Sequence, residues 1–411
     1  MISEPDNCPL QTTSTPWLNM DFLEKVLQSG NKTPTLTITK YDVKPAVDKG
    51  DNYASDLYRV KIYTADRNVF SLIVKRELCA GGEFGQMMRK STVFKRETLM
   101  YRTVASKLAS ILQETMPGKC AQLTASYYYS CPGTIVVQDL CAEGFKMAQR
   151  RQGLDYSHCL LVMHTLARFH AASVVLHDRD PESMSLYNQN FFSEPAARKG
   201  FQNFVSGSLR SVATAVQTWP GYAERYADKL SALADSLMDR IIQAVSRDNS
   251  AFNVLIHGDL WVNNMLFRYR SSGDPDEIRF LDFQFLHFSS PAIDLQYFFN
   301  TSPCEDVRAE HLEDLMKEYH STLCDTLDAL GYSHKRITLE DLWKEYDNKV
   351  LYGVFGACCV LPVVLAETGV DLDAAFESRG GQQCDAYNGD IYKTALQRML
   401  PIFEEKGAFR S

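Results

Sequence analysis

The stretch from Val254 to Asn264, VLIHGDLWVNN, decides how the rest of this chain is interpreted. An apolar run typical of a strand ends in a His-x-Asp motif, and Asn264 follows Asp259 five positions later. A second apolar run, a turn that contains Gly273, and a third apolar run that leads to Asp282 come next. Two carboxylates and one amide therefore stand at the ends of short predicted strands.

The two later runs predict a β-hairpin with strands at 265–269 and 278–281. A hairpin that closes symmetrically about Gly273 brings Asn264 and Asp282 face to face at its open end. Such oxygen ligands suit Mg²⁺, and Asp259 beside them would accept the proton of an attacking hydroxyl, as in kinases. One such residue alone is usually a turn former or a cap, so the prediction depends on the combination.

Lys75 and Glu97 form a second predicted pair. Lys75 ends an apolar strand, where a lone lysine most often reaches water. Glu97, however, lies on the following predicted helix in phase with the apolar residues Tyr101, Val104 and Leu108. Because an unpaired buried charge is costly, Glu97 needs a cationic partner, and Lys75 is the obvious one. Kinases use such a Lys–Glu pair to position ATP, so we predict a catalytic role for both residues.

The loop at 49–55 is a candidate phosphate-binding segment. Its small residues could place backbone N–H groups of Asn52, Tyr53 and Ala54, and the hydroxyl of Ser55, on phosphate oxygens. An ordinary hairpin turn explains the same pattern equally well.

A connector at Gln138, Asp139 and Leu140 marks the change from predicted strands to predicted helices. A segment in that place can offer main-chain N–H and C=O groups to adenine, although a plain linker has the same sequence character. We therefore predict these three residues as nucleotide contacts.

The bulk composition narrows the class of protein. A chain of 411 residues with 45% hydrophobic and 23% charged residues is that of a globular protein, and its length favours two lobes. A net charge of −8 without a basic block argues against nucleic acid or an anionic membrane as the main partner.

Eleven cysteines without a C-x-x-C pair, and an N-terminus without a signal-like run, predict a cytoplasmic protein with free thiols. The uncharged segment 350–366 is better explained as a buried helix than as a membrane span.

The order of elements predicts an α+β fold. Strands near 35–39, 57–63, 69–75, 123–129 and 134–138 surround one main helix at 92–112, and the remainder is mostly helical. We expect a loose tail at 1–18, a nucleotide-binding lobe at 19–138, and a catalytic and substrate-binding lobe at 139–411.

With these residues in hand, the chain resembles the ecdysteroid-kinase-like family of small-molecule kinases, which are akin to choline and aminoglycoside kinases. The resemblance extends from about residue 45 to the C-terminus. Its motifs are Gly50–Ser55, Lys75, Phe94-x-x-Glu97-x-x-x-Tyr101, Asp139-Leu140, Gly144-Phe145, Leu166–Ala171, His257–Asn264 and Leu281–Gln284.

The resemblance implies a protein-kinase-like fold of two lobes and ATP-dependent phosphorylation of an alcohol. It implies that Asp259 is the catalytic base, that Asn264 and Asp282 bind Mg²⁺, and that Lys75 and Glu97 position the phosphates. His257 would brace the catalytic loop. Asp294 would tie that loop to the next helix.

The sequence is compatible with three functions. The first is a kinase of an ecdysteroid or another apolar alcohol, in hormone inactivation or detoxification, with Tyr297-Phe298-Phe299 either in the acceptor pocket or in the core. The second is a kinase of choline, ethanolamine or an aminosugar, and the third is an inactive pseudokinase that serves as a binding module. The presence of Lys75 and Asp259 argues against the third. The oligomeric state, monomer or dimer, is left open.

Overall fold

The computed structural model describes residues 16–31, 36–46, 55–78, 82–116, 121–367, 370, 372–377 and 385–410. The strands in these ranges are β1 Ile38–Pro45, β2 Ser55–Thr64, β3 Val69–Glu77, β4 Tyr127–Cys131, β5 Thr134–Gln138, β6 Lys146–Met147, β7 Val254–Ile256, β8 Met265–Tyr269, β9 Pro275–Phe280 and β10 His287–Ser289.

The α-helices in the same ranges are α1 Met20–Asn31, α2 Glu83–Lys90, α3 Val93–Leu99, α4 Ala105–Gln113, α5 Tyr156–Arg179, α6 Pro195–Val216, α7 Ala223–Leu233, α8 Leu237–Val245, α9 Ala292–Thr301, α10 Glu305–Glu310, α11 Leu312–Ala329, α12 Leu339–Asn348, α13 Val350–Phe355, α14 Leu361–Leu365, α15 Leu372–Glu377 and α16 Asp390–Glu405. Two π-helical turns, Met100–Val104 and Gly356–Val360, join α3 to α4 and α13 to α14.

An antiparallel sheet of five strands, in the order β1-β2-β3-β5-β4, dominates the N-terminal part. Apolar residues alternate along its strands, so one face packs against α1 and forms a small separate core. Trp17 and Leu18, at the end of the predicted tail, join this core, while residues 1–15 lie outside the described residues. The members of that core that are buried are Leu18, Leu23, Val26, Leu27, Ile38, Val60, Ile62, Leu72, Val74 and Val136.

The other face of the sheet packs against α3, the π turn and α4, which carry Tyr101, Val104 and Leu108 into the main core. The helix predicted at 92–112 is therefore present but interrupted by the π turn. Helix α2, which precedes it, was not predicted. The same core continues without a break into the helical remainder, so the two parts of the chain are firmly packed together.

The helical remainder encloses two short β units, the pair β7/β10 and the sheet β6-β8-β9. Helix α5 is long and apolar enough to cross a membrane, but 78% of its most apolar window is buried inside the protein. A bent pair, Leu339–Asn348 with Val350–Leu365, passes the same test at an angle of 55°. The uncharged segment at 350–365 forms α13, the π turn and α14, and is largely buried.

The antiparallel sheet followed by a mostly helical remainder confirms the predicted α+β class. The sheet ends at Gln138, where the boundary between the two lobes was placed, and that boundary stays a prediction. Three details of the strand predictions were wrong. The strand predicted near 35–39 begins at Ile38 and continues to Pro45. The strand predicted at 123–129 begins only at Tyr127, because Phe280 N–H bonds to the carbonyl of Leu123 and the hydroxyl of Thr124 to the carbonyl of Phe280. The hairpin closes one residue out of the expected register, with Met265 opposite Phe280.

Candidate active site

The loop after β7 carries Asp259, and its shape depends on a glycine. Gly258 has a φ of +78°, a left-handed conformation that favours glycine, and a Cβ there would lie 2.7 Å from the carbonyl oxygen of Phe285. Asp282 also has a positive φ, +61°, which is uncommon for an aspartate outside a turn. Asp259, which follows Gly258, and Asp282 thus lie where the backbone turns sharply after β7 and β9.

A buried carboxylate, Asp294, holds this loop in place. It accepts hydrogen bonds from the backbone N–H groups of His257 (2.7 Å) and Gly258 (2.8 Å), and it contacts Nε2 of His170 at 3.0 Å. Nδ1 of His170 in turn contacts the hydroxyl of Tyr319 at 2.7 Å. Side chains of α5, α9 and α11 therefore hold this loop in place.

His257 joins the loop to the hairpin. Its Nε2 lies 2.9 Å from the carbonyl oxygen of Leu281, the residue before Asp282. Burial lowers the pKa of His257, so the neutral ring donates this bond and is not available as an acid. This geometry is what the bracing role predicted for His257 requires.

Lys75 lies between two carboxylates. Its Nζ is 2.8 Å from Oε2 of Glu97 and 2.8 Å from Oδ1 of Asp282. Burial alone would lower the pKa of Lys75, but the charges of Asp282 and Glu97 outweigh it and raise that pKa. The ammonium therefore stays charged, and it joins β3, α3 and the end of the hairpin.

The helix that carries Glu97 is anchored to the helical part of the chain by Arg96, which the sequence analysis did not single out. Arg96 is 1% exposed, and its Nη1 donates to the carbonyl oxygen of Leu286 at 2.9 Å. Its Nη2 lies 3.4 Å from Glu194. Glu97 is thus held in its position beside Lys75 by contacts that cross between the two parts of the chain.

Asp259 is held by two donors. Oδ1 accepts a bond of 2.5 Å from the hydroxyl of Tyr297, and Oδ2 accepts one of 3.0 Å from Nδ2 of Asn264. Burial raises the pKa of Asp259 to about 7, although the bond from Tyr297 lowers it, and the charge of Asp282 raises it further. A carboxylate with a pKa near neutrality suits a general base.

Two cavities meet at this group of residues. The first is a cleft of about 1080 Å³ between the sheet and the hairpin, and it is open to solvent. Lys75 and Glu97 line it on the sheet side, and Asp282 and Asn264 line it on the hairpin side. The remaining walls are apolar, chiefly Leu57, Ile73, Ala125, Ile135, Val137, Met147, Leu266 and Leu281.

The predicted connector lines the same cleft. Gln138, Asp139 and Leu140 all face it, but the carboxylate of Asp139 is already engaged by Arg59 and Ser71, both at 2.8 Å. Any nucleotide contact from Asp139 would therefore come from its main chain, as the sequence analysis assumed. The nucleotide contacts predicted for these three residues stay predictions.

The candidate phosphate-binding loop falls mostly outside the described residues, which include neither Asn52, Tyr53 nor Ala54. Ser55 is described: it begins β2 and is buried, but it is not among the residues that line the cleft. The phosphate contact predicted for Ser55 is thus untested.

The second cavity, of about 900 Å³, lies on the other side of Asp259 and is largely aromatic. We call it the acceptor pocket. Tyr297 lines this pocket, in agreement with one of the two interpretations of the sequence. Phe298 and Phe299 lie in the core instead. Trp261 lines the pocket as well, and the phenylalanines of its wall come from five helical segments and the hairpin end: Phe84, Phe192, Phe201, Phe204, Phe285, Phe355 and Phe376.

The cleft and the acceptor pocket share Asn264 and Asp282, and no other residue in the described part of the chain lines both. Asp259 lines the acceptor pocket alone, and Lys75 and Glu97 line the cleft alone. The two residues predicted as metal ligands therefore lie at the boundary between the two cavities.

The donor chemistry at this junction fits Mg²⁺. Asn264 directs its amide nitrogen at two oxygens of Asp259, at 2.9 and 3.0 Å, so its side-chain carbonyl oxygen is left for a cation. Asp282 offers the carboxylate oxygen that Lys75 does not contact. No cluster of three or more His, Cys, Asp or Glu that could hold a metal occurs in the described ranges. Mg²⁺ needs none, because phosphate and water oxygens usually complete its shell.

Comparisons with known proteins place this geometry in a family. The model of the ecdysteroid kinase-like family matches residues 49–332, which include every residue of the site described above except the far wall of the acceptor pocket. No curated protein matches the chain significantly.

Several solved structures are distantly similar. They include choline kinase LicA from Streptococcus pneumoniae, with 13% identity, a TM-score of 0.41, and coverage of 93% of this chain and 98% of that one. A glucosamine kinase has 14% identity, a TM-score of 0.34, and coverage of 96% and 100%. Likeness at this level says nothing about the substrate, whereas the family match covers most of the chain. The chain therefore belongs to the ecdysteroid kinase-like family and is a small-molecule kinase.

Proposed function

We propose that the protein transfers the γ-phosphoryl group of ATP, with Mg²⁺, to a hydroxyl group of an apolar small molecule. The observation that carries this proposal is the junction of the two cavities at Asn264 and Asp282. A charged cleft on one side and an aromatic pocket on the other are the two sites that such a transfer needs.

The cleft side would hold the nucleotide. Lys75, fixed by Glu97, would contact the α- and β-phosphates, and the apolar walls would cover the adenine. Mg²⁺, held by Asn264 and Asp282, would neutralise charge on the transferred group. Because Lys75 already contacts Asp282 directly, the ammonium and the metal ligand are pre-arranged for adjacent phosphates.

On the pocket side, Asp259 would take the proton of the acceptor hydroxyl onto a carboxylate oxygen as the alcohol oxygen attacks. Tyr297 and Asn264 orient this carboxylate. With the alcohol bound, the surrounding rings would limit the access of water, which competes with the alcohol for the phosphoryl group.

The composition of the acceptor pocket supports an apolar acceptor, and an ecdysteroid or a foreign hydroxylated compound is the class we propose. The lining is largely phenylalanine, and such a wall favours an apolar molecule over a polar one. A choline-type acceptor would need a carboxylate or a cage rich in Trp and Tyr. Trp261 and Tyr297 line the pocket, but the other rings are phenylalanines, and the two acids are the proposed base Asp259, bonded to Tyr297, and the proposed metal ligand Asp282, paired with Lys75. An aminosugar would need many more polar partners.

The assembled Lys75–Glu97–Asp282 group supports an active enzyme over an inactive binding module. The cysteines of the described residues are free thiols, which supports the proposal that the protein is cytoplasmic.

The acceptor class can be tested directly. The full-length protein is incubated with Mg²⁺ and ATP and an ecdysteroid, a hydroxylated plant compound, choline or glucosamine, and products are identified by mass spectrometry. We expect a phosphate monoester of the ecdysteroid or the plant compound. Transfer to choline or glucosamine alone would overturn the apolar assignment, and transfer to none would count against the kinase proposal for these classes.

Replacement of the base should separate chemistry from nucleotide binding. Asp259→Asn is expected to lower kcat by about 10²- to 10⁴-fold, the usual contribution of a general base. The Kd of Mg·ATP should stay nearly unchanged, because Asp259 does not line the cleft. Steady-state kinetics and calorimetry measure the two quantities. Wild-type turnover in this variant would exclude the role of Asp259.

The pKa of Asp259 predicts a pH effect with a definite sign. The base must be ionised, so kcat/KM should fall as the pH drops below about 7. Tyr297→Phe removes a donor that favours the ionised form, which raises the pKa and moves this acid limb to higher pH. Tyr352→Phe is the matched control, because the hydroxyl of Tyr352 donates to the carbonyl of Gly258 and not to Asp259. An unchanged limb in Tyr297→Phe, or an equal shift in both variants, would contradict this account.

The metal role of Asp282 is tested by binding. Asp282→Ala should abolish most of the gain in ATP affinity that Mg²⁺ provides, as titration calorimetry with and without Mg²⁺ would show. Asp276→Ala is the control, because Asp276 lies on the same hairpin but pairs with Arg270 at the surface. Equal Mg²⁺ dependence in the two variants would remove Asp282 from the metal site.

A further inference from the structure

One uncharged polar side chain in the acceptor pocket has no function in the mechanism described so far. Gln284 lies two residues after Asp282 and lines the pocket together with Asp259 and Tyr297. The residue as a whole is 5% exposed, and what remains exposed lies at the pocket.

Within the described ranges, the side chain of Gln284 makes no hydrogen bond to the protein, and its amide atoms are not among the fully buried polar atoms that lack a partner, so the amide faces the pocket. Gln296 shows the usual situation for a buried amide. This residue is buried as well, and its amide donates to the carbonyl of Tyr346 at 2.6 Å and accepts from Asn300 at 3.0 Å. The two buried glutamines therefore differ in one respect: one is satisfied by the fold, and the other faces a cavity.

The position of Gln284 is fixed by its neighbours. Phe283 is fully buried in the core, with its ring against those of Tyr101 and His257. Phe285 packs its ring against Phe192 in the pocket wall. Gln284 is thus held between two anchored rings, beside the point where the reacting hydroxyl must lie.

The amide offers two N–H donors and one carbonyl acceptor, and a ligand that fills the pocket expels the water that would otherwise bond them, so these groups stay unpaired unless the ligand itself supplies partners. The remaining pocket wall is mostly hydrocarbon and aromatic rings. The polar atom that best satisfies Gln284 therefore belongs to the bound molecule.

We propose that Gln284 binds a second oxygen of the acceptor, a hydroxyl or a carbonyl next to the hydroxyl that is phosphorylated. This inference rests on the proposed function and deepens it. The acceptor is then an apolar molecule with two neighbouring oxygens, and Gln284 selects it over the mono-alcohol with the same carbon skeleton. A site that hydrogen-bonds a substrate hydroxyl discriminates against the analogue that lacks it, since its own polar group is then left unpaired.

Binding of matched alcohol pairs to the full-length protein tests this proposal. The pairs are cyclohexanol and cis-1,2-cyclohexanediol, 2-tetralol and cis-2,3-tetralindiol, and 2-deoxyecdysone and ecdysone, each titrated in the presence of Mg·ADP. We expect the diol to bind about 2- to 10-fold more tightly in at least one pair, the range given by one neutral hydrogen bond.

Gln284→Met keeps the length of the side chain and removes its donors and acceptor, so it should erase this preference. Gln284→Asn, which withdraws the amide by one methylene, is a second variant and should weaken it. Cys359→Ala is the matched control, because Cys359 lines the same pocket without an amide. It is expected to change both members of a pair equally and to leave their ratio intact.

A diol preference that disappears in Gln284→Met and persists in Cys359→Ala supports the proposal. Absence of any preference in the wild type, persistence of the preference in Gln284→Met, or its equal loss in Cys359→Ala overturns it. Phosphoryl transfer from labelled ATP to the same compounds is measured separately. A diol preference without transfer would contradict the proposed function alone, and transfer without a diol preference would contradict the role of Gln284 alone.

Discussion

The ammonium group of Lys75 is the contact on which the arrangement of this site depends. It lies 2.8 Å from a carboxylate of α3 and 2.8 Å from the carboxylate that ends the hairpin. Removal of one partner from such a buried group is strongly destabilising, because it leaves an uncompensated charge. The sheet, α3 and the hairpin are therefore held in one relative position. Arg96 also anchors α3, through its hydrogen bond to the carbonyl oxygen of Leu286.

Because these elements are fixed relative to one another, the interior contains two cavities of different polarity. The cleft contains the charges of Lys75, Glu97 and Asp282, whereas the acceptor pocket is walled by rings that contact one another across the chain. Phe376 of α15, for example, stacks on Phe204 of α6 at 4.9 Å and contacts Phe84 of α2 at 4.8 Å. The proposed function assigns a charged nucleotide to the first cavity and an apolar alcohol to the second, which matches the polarity of each lining.

The sequence predicted those parts of the site whose residues lie close together along the chain. Asp259, Asn264 and Asp282 come from one continuous loop and hairpin, so local patterns were sufficient to bring them together. Lys75 and Glu97 could be paired because a helical period placed an acid on an apolar face. The hairpin register was missed by one residue, since a bulge between Arg268 and Tyr269 shifts the pairing near the turn.

The parts that the sequence could not predict depend on contacts between distant segments. Tyr297 lies 38 residues from Asp259, and nothing in its local pattern indicates that its hydroxyl reaches the base. The anchoring of α3 by Arg96 joins residues 190 positions apart. The phenylalanines of the acceptor pocket come from six separate segments of the chain and look individually like core residues. Gln284 was quoted only as part of a motif, and its unpaired amide becomes visible only in three dimensions.

The most direct test of the account is a crystal structure of the protein with Mg²⁺ and a non-hydrolysable ATP analogue. The account predicts a metal ion about 2.0–2.1 Å from the carboxylate of Asp282 and the amide oxygen of Asn264. It also predicts the terminal phosphate at the mouth of the aromatic pocket, within reach of Asp259. A nucleotide bound elsewhere, or a metal ion that contacts neither Asn264 nor Asp282, would contradict it.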